Sequence, residues 1–188
     1  MDLGLENKIA LITGATQGIG FATAKKLCEE KAIVIINGRN EEKLQNAISK
    51  IKKELPNAKI TGVTADLENK EACNKLISQV PHIDILINNL GIFEPRNFED
   101  ISEEEWLKIF NINVMSGVRL SQYYLSNMIN SNWGRIIFIS SESALNIPKE
   151  IEDFEDFLKK NFGFKGEEEK KFIIEPSVSR IPAPEEAP

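Results

Sequence analysis

Five short apolar runs punctuate the first 140 residues: KIALIT (8–13), AIVIIN (32–37), KITGV (59–63), IDILIN (83–88) and RIIFIS (135–140). They are nearly continuous in apolar residues instead of alternating, the pattern of parallel strands buried on both faces. Amphipathic stretches separate them. The periodicity predicts a helix after Gly20 with Ile19, Ala22 and Leu27 facing inward, a second over 41–54 with Asn40 as its N-cap, and a third over 70–79. A longer helical region opens at SEEEW, where Ser102 and Glu105 form a capping-box pattern, and runs to Asn130. Trp106, Ile109, Phe110, Val114 and Leu120 are its expected core contacts. Alternation of strand and helix predicts an α/β fold, a doubly wound parallel sheet with helices on both faces.

Composition narrows the function classes. The 188 residues are 41% hydrophobic and 28% charged, as in an ordinary globular protein, and the formal net charge is −6. That balance argues against nucleic acid or an anionic membrane as the main partner. No apolar run has the length of a membrane span, and the first residues lack the basic region and apolar core of a signal peptide. A cytoplasmic protein is expected. Cys28 and Cys73 fall on separate predicted helices without metal-ligand spacing, so they read as reduced core residues. His82, the single histidine, follows Pro81 at the mouth of a predicted strand and reads as a solvated loop residue. No metal site is expected.

The stretch ITGATQGIG (12–20) places Gly14, Gly18 and Gly20 between a predicted strand and a predicted helix. Such a turn must bend sharply, let the backbone approach a phosphate and pack the helix close to the sheet. Beyond Gly18, the helix N-terminus offers unpaired N–H groups and a positive dipole end. Nucleotide binding and a purely structural turn are both compatible with the triplet; its strand–turn–helix context favours the first.

The spacing Thr-Gly-x-x-x-Gly-x-Gly, here Thr13 to Gly20, resembles that of the short-chain dehydrogenase/reductase family. Other motifs follow in the family's order: ADL at 65–67, NNLG at 88–91, NINVMS at 111–116 and GRIIFISSES at 134–143. The resemblance implies a Rossmann-like, NAD(P)-binding domain over 1–147, followed by a divergent charged tail over 148–188. It also implies cofactor contacts from Gly14, Thr16, Gln17, Gly18, Ile19 and Gly20, from Asp66 and Leu67 beside the adenine, and from Asn89 and Gly91. The second strand ends in NGRN with no acidic residue for a ribose 2′-hydroxyl. Arg39 stands there instead, either as a solvated loop charge or as a partner for a 2′-phosphate; the second reading favours NADP over NAD.

By the same resemblance, Ser141 matches the serine that holds the substrate oxygen and Asn113 the helix-kinking asparagine. The family's tyrosine position is occupied by Phe154 and its lysine position by Leu158. Phenylalanine has no hydroxyl to exchange a proton, and Lys159 is one residue out of register, about 100° around a helix. Tyr123 and Tyr124 match no family position and are expected in the core or an interface. From Pro148 onward the family's next helix, sixth strand and seventh strand are not recognisable, although SRIPAPEEA resembles a segment near its last helix. An internal block lost near residue 150 and an early stop are therefore expected. The apolar edge of the 135–140 strand would then need covering, for which KFIIE (171–175) is the later segment with strand character. The charged KGEEEKK reads as a solvated stretch and the closing PAPEEAP as disordered.

Three functions remain open at this stage. One is an NADP(H)-dependent oxidoreductase acting on a small carbonyl or alcohol. The second is a non-catalytic NADP(H)-binding remnant that acts through binding or association. The third is an interaction protein that uses helix 102–130 as a dimer face and needs neither cofactor nor chemistry; a homo-oligomer of that kind is compatible with either of the others.

Overall fold

The computed structural model describes residues 3–94 and 96–141. The chain divides into two units, Met1–Ile139 and Ser140–Pro188, of which the second contributes only Ser140 and Ser141 to the described residues. The boundary expected at 147/148, Phe154, Leu158, Lys159 and the strand expected at 171–175 all lie outside the described residues.

In the first unit, β1 (Ile9–Ile12), β2 (Ile33–Gly38), β3 (Ile60–Thr64), β4 (Ile85–Asn88) and β5 (Arg135–Phe138) form one all-parallel sheet in the order β3-β2-β1-β4-β5. The helices are α1 (Gly18–Glu29), α2 (Glu41–Glu54), α3 (Lys70–Gln79), α4 (Glu103–Phe110) and α5 (Ser116–Asn130). Strand alternation builds two cores. Ala10, Ile12, Val34, Ile36, Ile85 and Ile87 point to the face covered by α1 and α2. Leu11, Val63 and Leu86 point to the other, where Cys73 and Leu76 of α3 meet Leu120, Tyr124 and Met128 of α5. This three-layer arrangement is the doubly wound α/β fold that the apolar runs predict.

Local signals place the helix ends. The Asn40 side chain accepts from Lys43 N at 2.9 Å, and that of Asn69 accepts from Ala72 N at 2.9 Å. Ser102 and Glu105 form the predicted capping box. Both cysteines are buried and free, and His82 is exposed.

Two expectations about helix faces are corrected. Ile19 is 62% exposed and Ala22 is also exposed; the buried stripe of α1 is Gly20, Ala24 and Cys28, with Leu27 only partly buried against it. Small residues at a four-residue spacing let the helix approach the sheet, and the larger Ile19 is left outside. Along the region 102–130, Leu120 is buried, but Trp106, Phe110 and Val114 are 49%, 52% and 42% exposed and no residue of α4 is buried. An apolar stripe identifies which face wants covering; it does not supply the neighbour that covers it. The region is also not one uniform helix, because a π-helical turn spans Asn111–Met115 between α4 and α5.

Candidate functional site

The strand order reverses between β1 and β4, so a crevice opens at the carboxyl ends of these two strands, where open α/β sheets bind ligands. The turn from β1 to α1 sits on that crevice. Gly14 adopts φ +61°, and a Cβ there would lie 3.0 Å from the Leu90 Cα. Gly20 leaves room for Asn89: an added Cβ would come within 2.5 Å of its Nδ2 and 2.9 Å of the Ala15 Cα. Gly18 is different. It has φ +58° but open space where a Cβ would go. The three glycines thus serve a left-handed turn, an exposed approach and a close packing of the helix on the loops after β1 and β4.

Thr13 and Asn89 hold this turn in place. The Thr13 hydroxyl accepts from the backbone N–H of both Asn89 and Leu90 at 3.0 Å. Asn89 Nδ2 donates to the carbonyls of Thr13 and Gly14, each at 3.0 Å. Ala15 N donates to the Asn37 carbonyl at 2.9 Å, tying the turn to β2. Buried Asn37 in turn donates from Nδ2 to the carbonyls of Val63 and Ala65, at 3.1 and 3.0 Å. The ends of four strands are therefore cross-linked by polar groups that the sheet ladder leaves over.

The N-terminus of α1 is uncapped. Gln17 occupies the N-cap position with extended backbone and no side-chain hydrogen bond, and no acidic residue lies in the first turn. The N–H groups of Gly18, Ile19 and Gly20 thus lack an intrahelical acceptor and lie at the positive end of the helix dipole. Gln17, Gly18 and Ile19 are exposed, Thr16 is half-buried, and its Cγ2 lies where a Cβ on Gly38 would be, 2.5 Å away.

Around this turn, Arg39 and Asp66 are exposed beyond β2 and β3, while Leu67 points into the core and is fully buried. Gly91 lies in the loop after β4, with the Asn113 Oδ1 3.8 Å from where its Cβ would be. Asn113 sits in the π-helical turn and pairs its side chain with one backbone unit: Oδ1 accepts from Ile92 N at 2.8 Å and Nδ2 donates to the Ile92 carbonyl at 2.9 Å. Arg119 braces the same turn, donating to the Glu68 carbonyl at 3.3 Å and to Asn111 Oδ1 at 2.8 Å. Ser141 is exposed in the other unit, three residues after the end of β5.

The two tyrosines differ in environment. Tyr124 is fully buried, its hydroxyl donates to the Val80 carbonyl at 2.7 Å, and burial raises its pKa far above the ordinary phenol range. Tyr123 packs edge-on against it and is 41% exposed.

Some residues lie inside the motifs without being singled out by them. Asn37 and Asn88 each close an apolar strand run with a polar residue, and both are buried. Asn88 donates to Ser121 Oγ at 3.3 Å while its Oδ1 is buried without a partner among the described residues. A polar residue ending an otherwise apolar run is the signal that marks such positions. Gly38 carries no such signal, because only the Thr16 methyl above it shows why it is a glycine. Among the described residues no cluster of His, Cys, Asp or Glu is arranged to hold a metal, and no helix is long and apolar enough to cross a membrane.

Comparison with known proteins agrees with the geometry. The short chain dehydrogenase family model matches residues 8–151. An uncharacterized oxidoreductase, YvaG of Bacillus subtilis, is 49% identical over 151 residues, covering 80% of this chain and 57% of that protein. The 3-oxoacyl-[acyl-carrier-protein] reductase FabG of Aquifex aeolicus is 34% identical over 145 residues, 75% of this chain and 58% of that protein. The crystal structure of L-sorbose reductase from Gluconobacter frateurii, complexed with NADPH and L-sorbose, superimposes with a TM-score of 0.74 at 26% identity, covering 85% of this chain and 65% of that one. The chain spans just under three fifths of the length of these two curated relatives. The motifs of residues 13–20 and 88–91, the sheet order and the family match together place this chain in the short-chain dehydrogenase/reductase family.

Proposed function

We propose that this chain binds NADP(H) at the β1–α1 turn, and that the reaction belonging to this site is hydride transfer between a small carbonyl compound and an alcohol. The observation that carries the reading is the uncapped first turn of α1, held by Thr13 and Asn89 beside the open space at Gly18. A pyrophosphate suits that feature: it is anionic, and the N–H groups it would meet have no acceptor among the described residues. The NADPH complex of the L-sorbose reductase and the reductase name of the FabG relative support the same cofactor and reaction class.

When bound, the nicotinamide would give the hydride to a carbonyl or take it from an alcohol; the chain's residues would bind and orient. Thr16, Gln17, Gly18, Ile19 and Gly20 would line the phosphates, Arg39 would take the 2′-phosphate, and Asp66 with the Leu67 backbone would flank the adenine. Asn89 and Gly91 would shape the wall behind the cofactor. Asn113 holds the loop after β4 through Ile92, and Ser141 would hold the substrate oxygen. The exposed apolar side chains Trp106, Phe110, Leu125 and Ile129 support self-association through the α4–α5 region.

Phe154 and Leu158, standing where the family has tyrosine and lysine, favour a second reading in which the chain binds NADP(H) without turning it over. A fluorescence titration with NADPH beside NADH tests the binding common to both. Saturable binding with NADPH preferred is expected, and a folded chain that binds neither overturns both readings. Turnover of a carbonyl panel then separates them. Under the second reading the unmodified chain is inactive, and Phe154→Tyr alone does not restore activity.

A further inference from the structure

Arg39 is exposed at the end of β2 and, among the described residues, makes no ion pair. This is unexpected from the sequence, since Glu41 and Glu42 follow two and three positions later. A span of two extended residues is about 7 Å, short enough for a glutamate carboxylate to reach the guanidinium. Glu41 is engaged elsewhere. Its Oε2 accepts from the Thr64 hydroxyl at the end of β3, and its Oε1 accepts from Gln45 Nε2 at 2.7 Å, one turn along α2.

We infer that Thr64 and Gln45 clasp the Glu41 carboxylate away from Arg39, and that this clasp sets the preference of the site for a ribose 2′-phosphate over a 2′-hydroxyl. The inference rests on the reading of the β1–α1 turn as an NADP(H) site. A released carboxylate would act on both cofactors. It would pair with Arg39 and repel a 2′-phosphate, and it would offer an acceptor to the 2′-hydroxyl of NAD(H). Both effects favour NADH. Thr64 and Gln45 are therefore specificity-determining residues at one remove, acting through Glu41. The two hydrogen bonds also hold the Glu41 carboxyl below the usual carboxylate range, so it stays ionised and acceptor-only at neutral pH.

The test is the ratio of NADPH to NADH dissociation constants, measured on the full chain as wild type, Thr64→Val, Glu41→Gln and the double variant, at low and high salt. Valine keeps the shape of threonine and removes the donor. Thr64→Val is expected to weaken NADPH about three- to fivefold, the size of an exposed charge pair, with NADH unchanged or tighter and the difference shrinking in high salt. The double variant is expected to regain the wild-type NADPH affinity, which a merely structural defect at Thr64 would not allow. Thr64→Ala also removes the donor while leaving the Glu41 side chain at full length, and repeats the release should Thr64→Val fail to fold. An unchanged ratio in a folded Thr64→Val chain, or a double variant that stays weak, overturns the clasp. A wild-type chain with no NADPH preference overturns the NADP(H) reading itself.

Discussion

β4 and β5 are parallel strands of four residues each, ILIN and RIIF, hydrogen-bonded to one another from Ile85–Arg135 to Asn88–Phe138. Their environments are opposite. Every residue of β4 is buried, whereas Ile137 and Phe138 are 43% and 54% exposed. β4 lies between β1 and β5 with side chains in both cores; β5 has a single strand neighbour among the described residues. Equal apolar content thus gives strands of equal length but unequal burial, because burial is conferred by neighbours and not by the run itself. The candidate site residues are also unevenly tied together. The β1–α1 turn and the loop after β4 are tied together by Thr13 and Asn89, while Ser141 belongs to the other unit.

Truncation should expose this contrast most strongly. Leu86→Ala removes a fully buried side chain and is expected to cost about 2–5 kcal/mol, whereas Ile137→Ala should stay within about 1 kcal/mol. Equal losses in denaturant unfolding would break the comparison. Within the turn, Gly20→Ala forces a Cβ onto backbone atoms of Ala15 and Gly14 and should cost about 1–3 kcal/mol together with NADPH binding. Gly18→Ala meets open space and bears only its left-handed φ, so about 1 kcal/mol is expected, read by thermal melting.

Thr13→Val keeps the shape of the side chain but leaves the N–H groups of Asn89 and Leu90 without their acceptor, for an expected loss of about 1–3 kcal/mol. The loss should appear equally as a weaker NADPH titration, since the same bonds set the turn. Tyr124→Phe deletes one buried hydrogen bond to Val80 and should cost about 1 kcal/mol, with no effect on cofactor affinity.

The smallest effect concerns Cys28, whose thiol is pushed up to about 11 by burial and, secondarily, by Glu29. The folded value lies above the unfolded one, near 8.5. The favourable protonated thiol therefore contributes fully below that unfolded value, and its contribution is lost as pH rises through the folded one. Native alkylation should be slow at neutral pH and become fast only on unfolding; prompt labelling of the folded chain would contradict the burial of α1 against the sheet.

The sequence by itself determined the local structure: the five strands, the helix bounds 41–54 and 70–79, the caps at Asn40 and Ser102, and the glycine turn. Each of these depends on residues a few positions apart, so periodicity and cap chemistry can report them. The motif order also carried the family. Tertiary structure alone decided which face each helix buries, turning Ile19 outward and leaving no residue of α4 fully buried. It alone joined Thr13 to Asn89, Asn37 to Ala65 and Glu41 to Thr64, across separations of 76, 28 and 23 residues. No short-range pattern encodes such contacts. They arise because strands distant in the chain end at one edge of one sheet, where their leftover polar groups must find partners.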